Sequence, residues 1–274
     1  MESFSNKELN FKSPFGMIVS GPSSSGKSTF LLKFIAESGY LIDSIPKSIL
    51  YCFGEMSNIV PLLQKSGVSV YAGAPPEELI KKFSKPLLLI LDDLLTSIDE
   101  KYLSELFTKK SHHQNFSVVF VTQNLFERKI KVARQNAQYI VLMRSPNSAL
   151  SVRNIGVQLF PRQLDYFLDA YKQATKEPYG YLVIDMHASS DPSLKLRTSI
   201  FKQDEEKIIF IPKNRNDLLP YVDFVRRMSR ARSDRGARKI LNQKGSGFGG
   251  GVFAALITPI LIELARSFTI NSKT

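Results

Sequence analysis

Cysteine is almost absent from this chain: Cys52 is the only one in 274 residues. A single thiol closes no internal bridge, so a disulfide framework is excluded and a reducing, intracellular compartment is expected. Histidine is nearly as scarce, with three in the chain, and a structural metal site takes three or four ligands. The adjacent His112 and His113 are therefore read as a structural turn ahead of a strand. The opening residues, MESFSNKELNFK, hold no apolar stretch behind basic ones, so no secretory leader is expected. Long apolar runs are lacking too. The longest, from Gly245 to Ile262, has glycine at five of its first seven positions and is broken by Pro259. A spanning helix needs roughly 20 apolar residues, so membrane insertion is not expected.

What remains is ordinary globular composition, 43% hydrophobic and 23% charged, which excludes disorder as the dominant state. One property stands out. The formal net charge is +12, a balance that favours an anionic partner such as nucleic acid. The excess is uneven: Lys213 to Lys244 carries ten basic residues against three acidic ones, a local +7. In that stretch Leu218, Leu219, Val222, Val225, Met228 and Ala231 recur at near-helical spacing between arginines. The expected organisation is a domain over 1–212, a basic amphipathic helical tail over 213–244, and a glycine hinge with a short apolar segment over 245–274.

Within the first 212 residues, apolar runs alternate with amphipathic ones, as in a parallel sheet covered by helices. Strands are expected over Phe15–Ser20, Ser48–Cys52, Val68–Tyr71, Leu87–Leu91, Ser117–Thr122, Tyr139–Arg144 and Tyr181–Met186. LLLIL and SVVFV are apolar throughout, the pattern of strands buried on both faces. Helices are expected over Lys27–Ser38, Ile98–Thr108, Asn147–Leu159 and Pro161–Thr175, the last with Pro161 in its first turn.

The run Gly21, Pro22, Ser23, Ser24, Ser25, Gly26, Lys27, Ser28, Thr29 follows the first strand and opens the first helix, the context that the GxxxxGK[ST] pattern requires. Backbone N–H groups of such a loop form an anion nest, and the helix N-terminus adds favourable potential for phosphate. Lys27 can reach the β- and γ-phosphates of ATP, and the Ser28 hydroxyl can take one place in a Mg²⁺ shell. Gly21 and Gly26 supply either a conformation or a close approach that a side chain would obstruct.

The fourth strand ends in Asp92 and Asp93, at the carboxyl edge where open parallel sheets bind ligands. Asp92 is placed to hold Mg²⁺ through its water shell. Asp93 either orients the attacking water or caps the next helix. The fifth strand ends in Thr122, Gln123 and Asn124, where Gln123 either senses the γ-phosphate or serves a turn. A positive charge for the γ-phosphate has several candidates, Arg134 and Arg144 first, with Arg153 and Lys131 behind them.

The segments GPSSSGKSTF, LLLILDD, LFTKKSHHQNFSVVFVTQNLF, RQNAQYIVLMRSP and YKQATKEPYGYLVIDM with LRTSIF resemble the genome-packaging ATPases of the FtsK–HerA superfamily. The likeness spans Phe11 to Phe201 and points to the Polinton (Maverick) and adintovirus branch, related to poxvirus-type packaging ATPases. The resemblance implies a RecA-like P-loop ATPase that assembles as a homo-oligomeric ring and moves double-stranded DNA into a capsid. A capsid or portal protein is the implied partner, and the host nucleus, a viral assembly site or the virion is the implied location. Lys27 and Ser28 fall in Walker A, Asp92 and Asp93 in Walker B, and Gln123 at the sensor glutamine. Relatives carry an arginine about five residues before the position of Asn136. Here that position is Lys131, and an arginine stands at Arg134 instead.

Overall fold

The computed structural model describes residues 9–204 and 208–210. The expected tail over 213–244 and the glycine hinge and apolar segment over 245–274 lie outside the described residues.

Seven strands form from the apolar runs or beside them, and two short ones extend the sheet at one end. They are β1 (Gly16–Ser20), β2 (Ser48–Phe53), β3 (Ser69–Ala72), β4 (Leu87–Asp92), β5 (Phe116–Thr122), β6 (Tyr139–Met143), β7 (Tyr181–Asp185), β8 (Leu196–Thr198) and β9 (Ile208–Phe210). They make one sheet in the order β3-β2-β4-β5-β1-β6-β7-β8-β9. The first six in that order run parallel, and β7, β8 and β9 add on antiparallel. β1, β5 and β6 are buried at every position, because helices cover the sheet on both sides.

Alternate residues of each strand feed two separate cores, as the period of two in a strand dictates. Ile18, Leu89, Leu91, Val118, Phe120 and Ile140 face one core. It is covered by α5 (Glu100–Glu105), α8 (Ala149–Leu159) and α9 (Leu164–Ala174), through Leu103, Val152, Ile155 and Phe167. Met17, Val19, Leu88, Ile90, Val119 and Val141 face the other. There α1 (Lys27–Ala36) contributes Phe30, Leu31, Phe34 and Ile35, and α3 (Ile59–Lys65) contributes Ile59, Val60 and Leu63. Short helices complete the connections: α2 (Ser38–Leu41), α4 (Glu77–Lys82), α6 (Ser111–His113) and α7 (Lys131–Asn136).

Three expectations need correction. The helix expected from Lys27 to Ser38 ends at Ala36, and α2 follows it as a separate turn. The helix expected over Ile98–Thr108 starts later, because Asp99 accepts the Tyr102 N–H as its cap. It then widens into a π-helical stretch, Leu106–Lys110, before α6, and the wider turn lets the consecutive Leu106 and Phe107 both bury. Pro161 is not in a first helical turn. Gln163 N–H donates to Phe160 O at 3.0 Å, so Pro161 occupies the second position of a four-residue turn, the place its fixed φ suits. α9 starts only at Leu164.

The sheet order decides the fold class. The strand that ends in the two aspartates, β4, is not beside the P-loop strand β1; β5 lies between them. That is the arrangement of RecA-like P-loop NTPases, and it brings the ends of β1, β4 and β5 together at one edge.

Candidate nucleotide site

The P-loop departs from β1 at Ser20, and its two glycines are needed for different reasons. A Cβ on Gly21 would stand 2.5 Å from Met143 Cβ and 2.7 Å from Ser25 Oγ, so only a bare backbone passes between β6 and the loop. Gly21 N–H in turn donates to Thr122 O of β5 at 3.2 Å. Gly26 is required by conformation, with φ +95° in the left-handed region, and a Cβ there would also press on Tyr179 at 3.0 Å. Ser24 adopts φ +62°, and Ser25 N–H closes the loop on Pro22 O at 3.3 Å. Beyond it Lys27 opens α1, whose first turn carries no acidic residue to offset the positive end of the helix dipole.

Lys27 is half-buried, and its Nζ donates to Gly21 O at 2.6 Å and Pro22 O at 2.7 Å. Burial lowers its pKa, while the negative charges of Asp92 and Asp93 act in the opposite direction. The P-loop and both carboxylates thus lie at the same edge of the sheet, at the ends of β1 and β4. Asp92, the last residue of β4, has its pKa raised, chiefly by burial and opposed by a hydrogen bond from the Tyr51 hydroxyl to Oδ2. Asp93 is exposed and turns off the strand at φ +54°. It caps no helix: the next one begins at Glu100 behind Asp99. Of the two readings of Asp93, the capping one is thereby removed.

β5 delivers Gln123 to the same edge. The turn after it is bonded by its neighbours: Asn124 N–H donates to Thr122 Oγ1 at 3.2 Å, and Phe126 N–H to Asn124 Oδ1 at 2.9 Å. Gln123 itself is exposed and lines a shallow cleft with Ser20, Gly21, Ser145, Ser148 and Ser151. The hydroxyls come from the turn after β6 and from α8, so the cleft sits where β1 meets both its neighbours. Among the positive candidates, Arg134 is engaged within its own chain. Its Nη1 donates to Leu125 O at 2.8 Å, its guanidinium lies 4.4 Å from the centre of the Phe126 ring, and burial lowers its pKa. Arg144 is half-buried at the end of β6, whereas Lys131 and Arg153 are exposed.

Two residues near the site carry no sequence motif. Tyr51, on β2, supplies the hydroxyl that meets Asp92. Gly54, just past β2, lies so close to the turn after β4 that a Cβ would stand 2.1 Å from Asp93 O; its N–H donates to Asp92 O at 3.0 Å. His112 and His113 are exposed at the end of α6. Among the described residues no group of three or more histidine, cysteine or carboxylate side chains could hold a metal ion. Nor is any helix among them long and apolar enough to cross a membrane.

Fold and loop together define a P-loop NTPase fold of the RecA-like type. Solved structures with a similar fold include the genome-packaging NTPase B204 of Sulfolobus turreted icosahedral virus 2. Its sulfate complex is 13% identical over 68% of this chain and 95% of that one, at a TM-score of 0.48. Its complex with AMPPCP gives 13%, 68%, 96% and 0.47. ATPases 2 and 3 of EssC from Geobacillus thermodenitrificans are 11% identical over 83% of this chain, at a TM-score of 0.43. This chain spans less than half of that EssC chain, 44%. No protein-family model and no curated protein matches the sequence.

Proposed function

We propose that the protein is an ATP-hydrolysing motor that moves double-stranded DNA into a viral or virus-like capsid. The hydrolytic part rests on one observation: the P-loop that leaves β1 and the Asp92–Asp93 pair that ends β4 open at the same edge of the sheet, with β5 between their strands. The loop amides and the N-terminus of α1 are suited to the phosphates of a nucleotide. Lys27, released from the Gly21 and Pro22 carbonyls, would follow the β- and γ-phosphates. The Ser28 hydroxyl and the Asp92 carboxylate are hard oxygen donors and fit Mg²⁺, which when bound would neutralise charge between the phosphates. Asp93, exposed and held off the strand, is the group to orient the attacking water and take its proton. Gln123 is the group to hydrogen-bond the γ-phosphate or that water.

Arg134 is committed to Leu125 and Phe126, so we assign it first to holding the loop behind Gln123. A charge supplied from a neighbouring subunit then falls to Arg144 or Arg153, or to Arg134 after it leaves both contacts. DNA as the cargo and a capsid as the destination are supported by the resemblance over Phe11–Phe201 and by the +7 charge of 213–244.

The test is the ATPase rate with and without double-stranded DNA, for the wild type and for Lys27→Ala. Stimulation by DNA and loss of turnover in Lys27→Ala are the expected results. Turnover that ignores DNA removes the motor; turnover that ignores Lys27→Ala removes the site. Stimulation by single strands alone would favour a helicase over a packaging pump.

A further inference from the structure

Tyr51 belongs to no nucleotide-binding motif, yet its hydroxyl touches the carboxylate on which the site depends. Its ring is wholly buried in β2, where Tyr51 pairs in register with Ile90 of β4. From that position the phenol reaches along β4 and donates to Asp92 Oδ2. The ring stacks on Phe53 with centroids 6.4 Å apart and planes at 27°, and it packs in the core that also holds Leu88 and Ile90. A ring fixed on an inner strand does not follow a carboxylate; the carboxylate follows the ring.

Resting on the reading that Asp92 serves a nucleotide-bound cation, we infer that Tyr51 is a positioning residue that sets the rotation of the Asp92 carboxylate toward that cation. A phenylalanine would fill the same space in the core, so packing alone does not call for the hydroxyl. Groups that hydrogen-bond a ligating carboxylate from behind fix its orientation, and their loss weakens metal affinity by about 10- to 100-fold. The oxygen taken up by the phenol is lost to rotation, and the remaining lone pairs keep one direction.

The test uses the full chain, Mn²⁺ in place of Mg²⁺ and a non-hydrolysable ATP analogue, with free Mn²⁺ read by electron paramagnetic resonance. In Tyr51→Phe the apparent Mn²⁺ affinity of the nucleotide complex should fall by about 10-fold or more. Affinity for the nucleotide in excess chelator should stay at the wild-type value. In an Asp92→Asn background, Tyr51→Phe should have no further effect on Mn²⁺. Unchanged Mn²⁺ affinity in Tyr51→Phe, or an equal loss with and without Asp92, would overturn the inference while leaving the nucleotide site intact. A wild-type chain that binds neither nucleotide nor Mn²⁺ would overturn both.

Discussion

Gly54→Ala is the most discriminating perturbation of the site, because it acts on Asp93 without touching any group with chemistry of its own. The glycine is not needed for its conformation, since its φ is not among the positive ones. Its role is clearance: a methyl carbon would stand 2.1 Å from Asp93 O and 3.0 Å from Asp93 C. The obstacle is backbone, so no side chain can swing aside. The turn after β4 must retreat by about 1 Å, a misplacement that at a reacting group can lower the rate about 100-fold. Overpacking of this kind also destabilises by about 1–3 kcal/mol, or roughly 2–4 °C in the melting midpoint for each kcal/mol in a domain of this size. The P-loop amides and Lys27 are untouched, so the affinity for a nucleotide analogue should hold while kcat collapses. Single-turnover hydrolysis, analogue titration and thermal melting on the same preparation separate the three quantities. Wild-type kcat in a destabilised Gly54→Ala would refute the placing of Asp93 in the chemistry. An unshifted melting midpoint would refute the steric reasoning itself.

Other consequences can be checked as directly. Arg134→Ala should lower stability by about 1–3 kcal/mol, the range for losing a charged hydrogen bond, and should slow turnover through the loop that carries Gln123. Mixing it with Lys27→Ala subunits should not restore activity; recovery in the mixture would move Arg134 to the neighbour's site. Burial pushes the Cys52 thiol up to about 12, so at pH 8 it stays protonated and should resist a thiol reagent until the fold opens. Rapid labelling of the native chain would contradict its burial in β2. Glu77 is held down to about 2 by hydrogen bonds from Lys81 and Lys110. A depressed carboxylate stabilises the fold above its unfolded value of 4.5 and loses that contribution as pH falls through the folded value. Glu77→Gln should therefore melt below the wild type at pH 7, with a gap that narrows below pH 4.5 and shrinks in high salt; a gap independent of pH would refute the pairing.

How much of the fold could be read from the residues depended on what each element used to hold itself together. β1, β4, β5 and β6 are buried on both faces, and continuous apolar runs revealed them to within a residue or so. β3 is an exposed edge strand and was nevertheless legible, because VSVY is bounded by Gly67 and Gly73. α3 and α4 escaped. They are seven and six residues long, too short for a helical period to repeat, and they form because β2, β3 and β4 must be joined on the outside of the sheet. β8 and β9 escaped for a similar reason: three residues each, they exist through pairing, β8 with β7 and β9 with β8, and not through any preference of their own.

The site divides along the same line. Gly21, Gly26, Lys27, Ser28, Asp92, Asp93 and Gln123 were visible because each lies at a fixed offset from a strand end or a helix start, and offsets are what a sequence records. Tyr51 and Gly54 contribute through contacts across the sheet, and nothing in YCFG distinguishes a tyrosine that donates to a carboxylate from one that fills a core. Their partners are 41 residues away for the Tyr51 hydrogen bond, a separation that only the pairing of β2 with β4 closes. Arg134 shows the converse. Its position in the chain made it a candidate for the γ-phosphate, and its contacts with Leu125 and Phe126 give it a prior engagement in its own subunit. Any transfer of that arginine to a neighbour must first break a hydrogen bond and a ring contact, so the same two contacts that hold the Gln123 loop would also resist assembly of an active interface. If Arg134 is the residue a neighbour supplies, the loop behind Gln123 is released at the moment the charge is delivered, and sensing and hydrolysis become one coupled event in two chains.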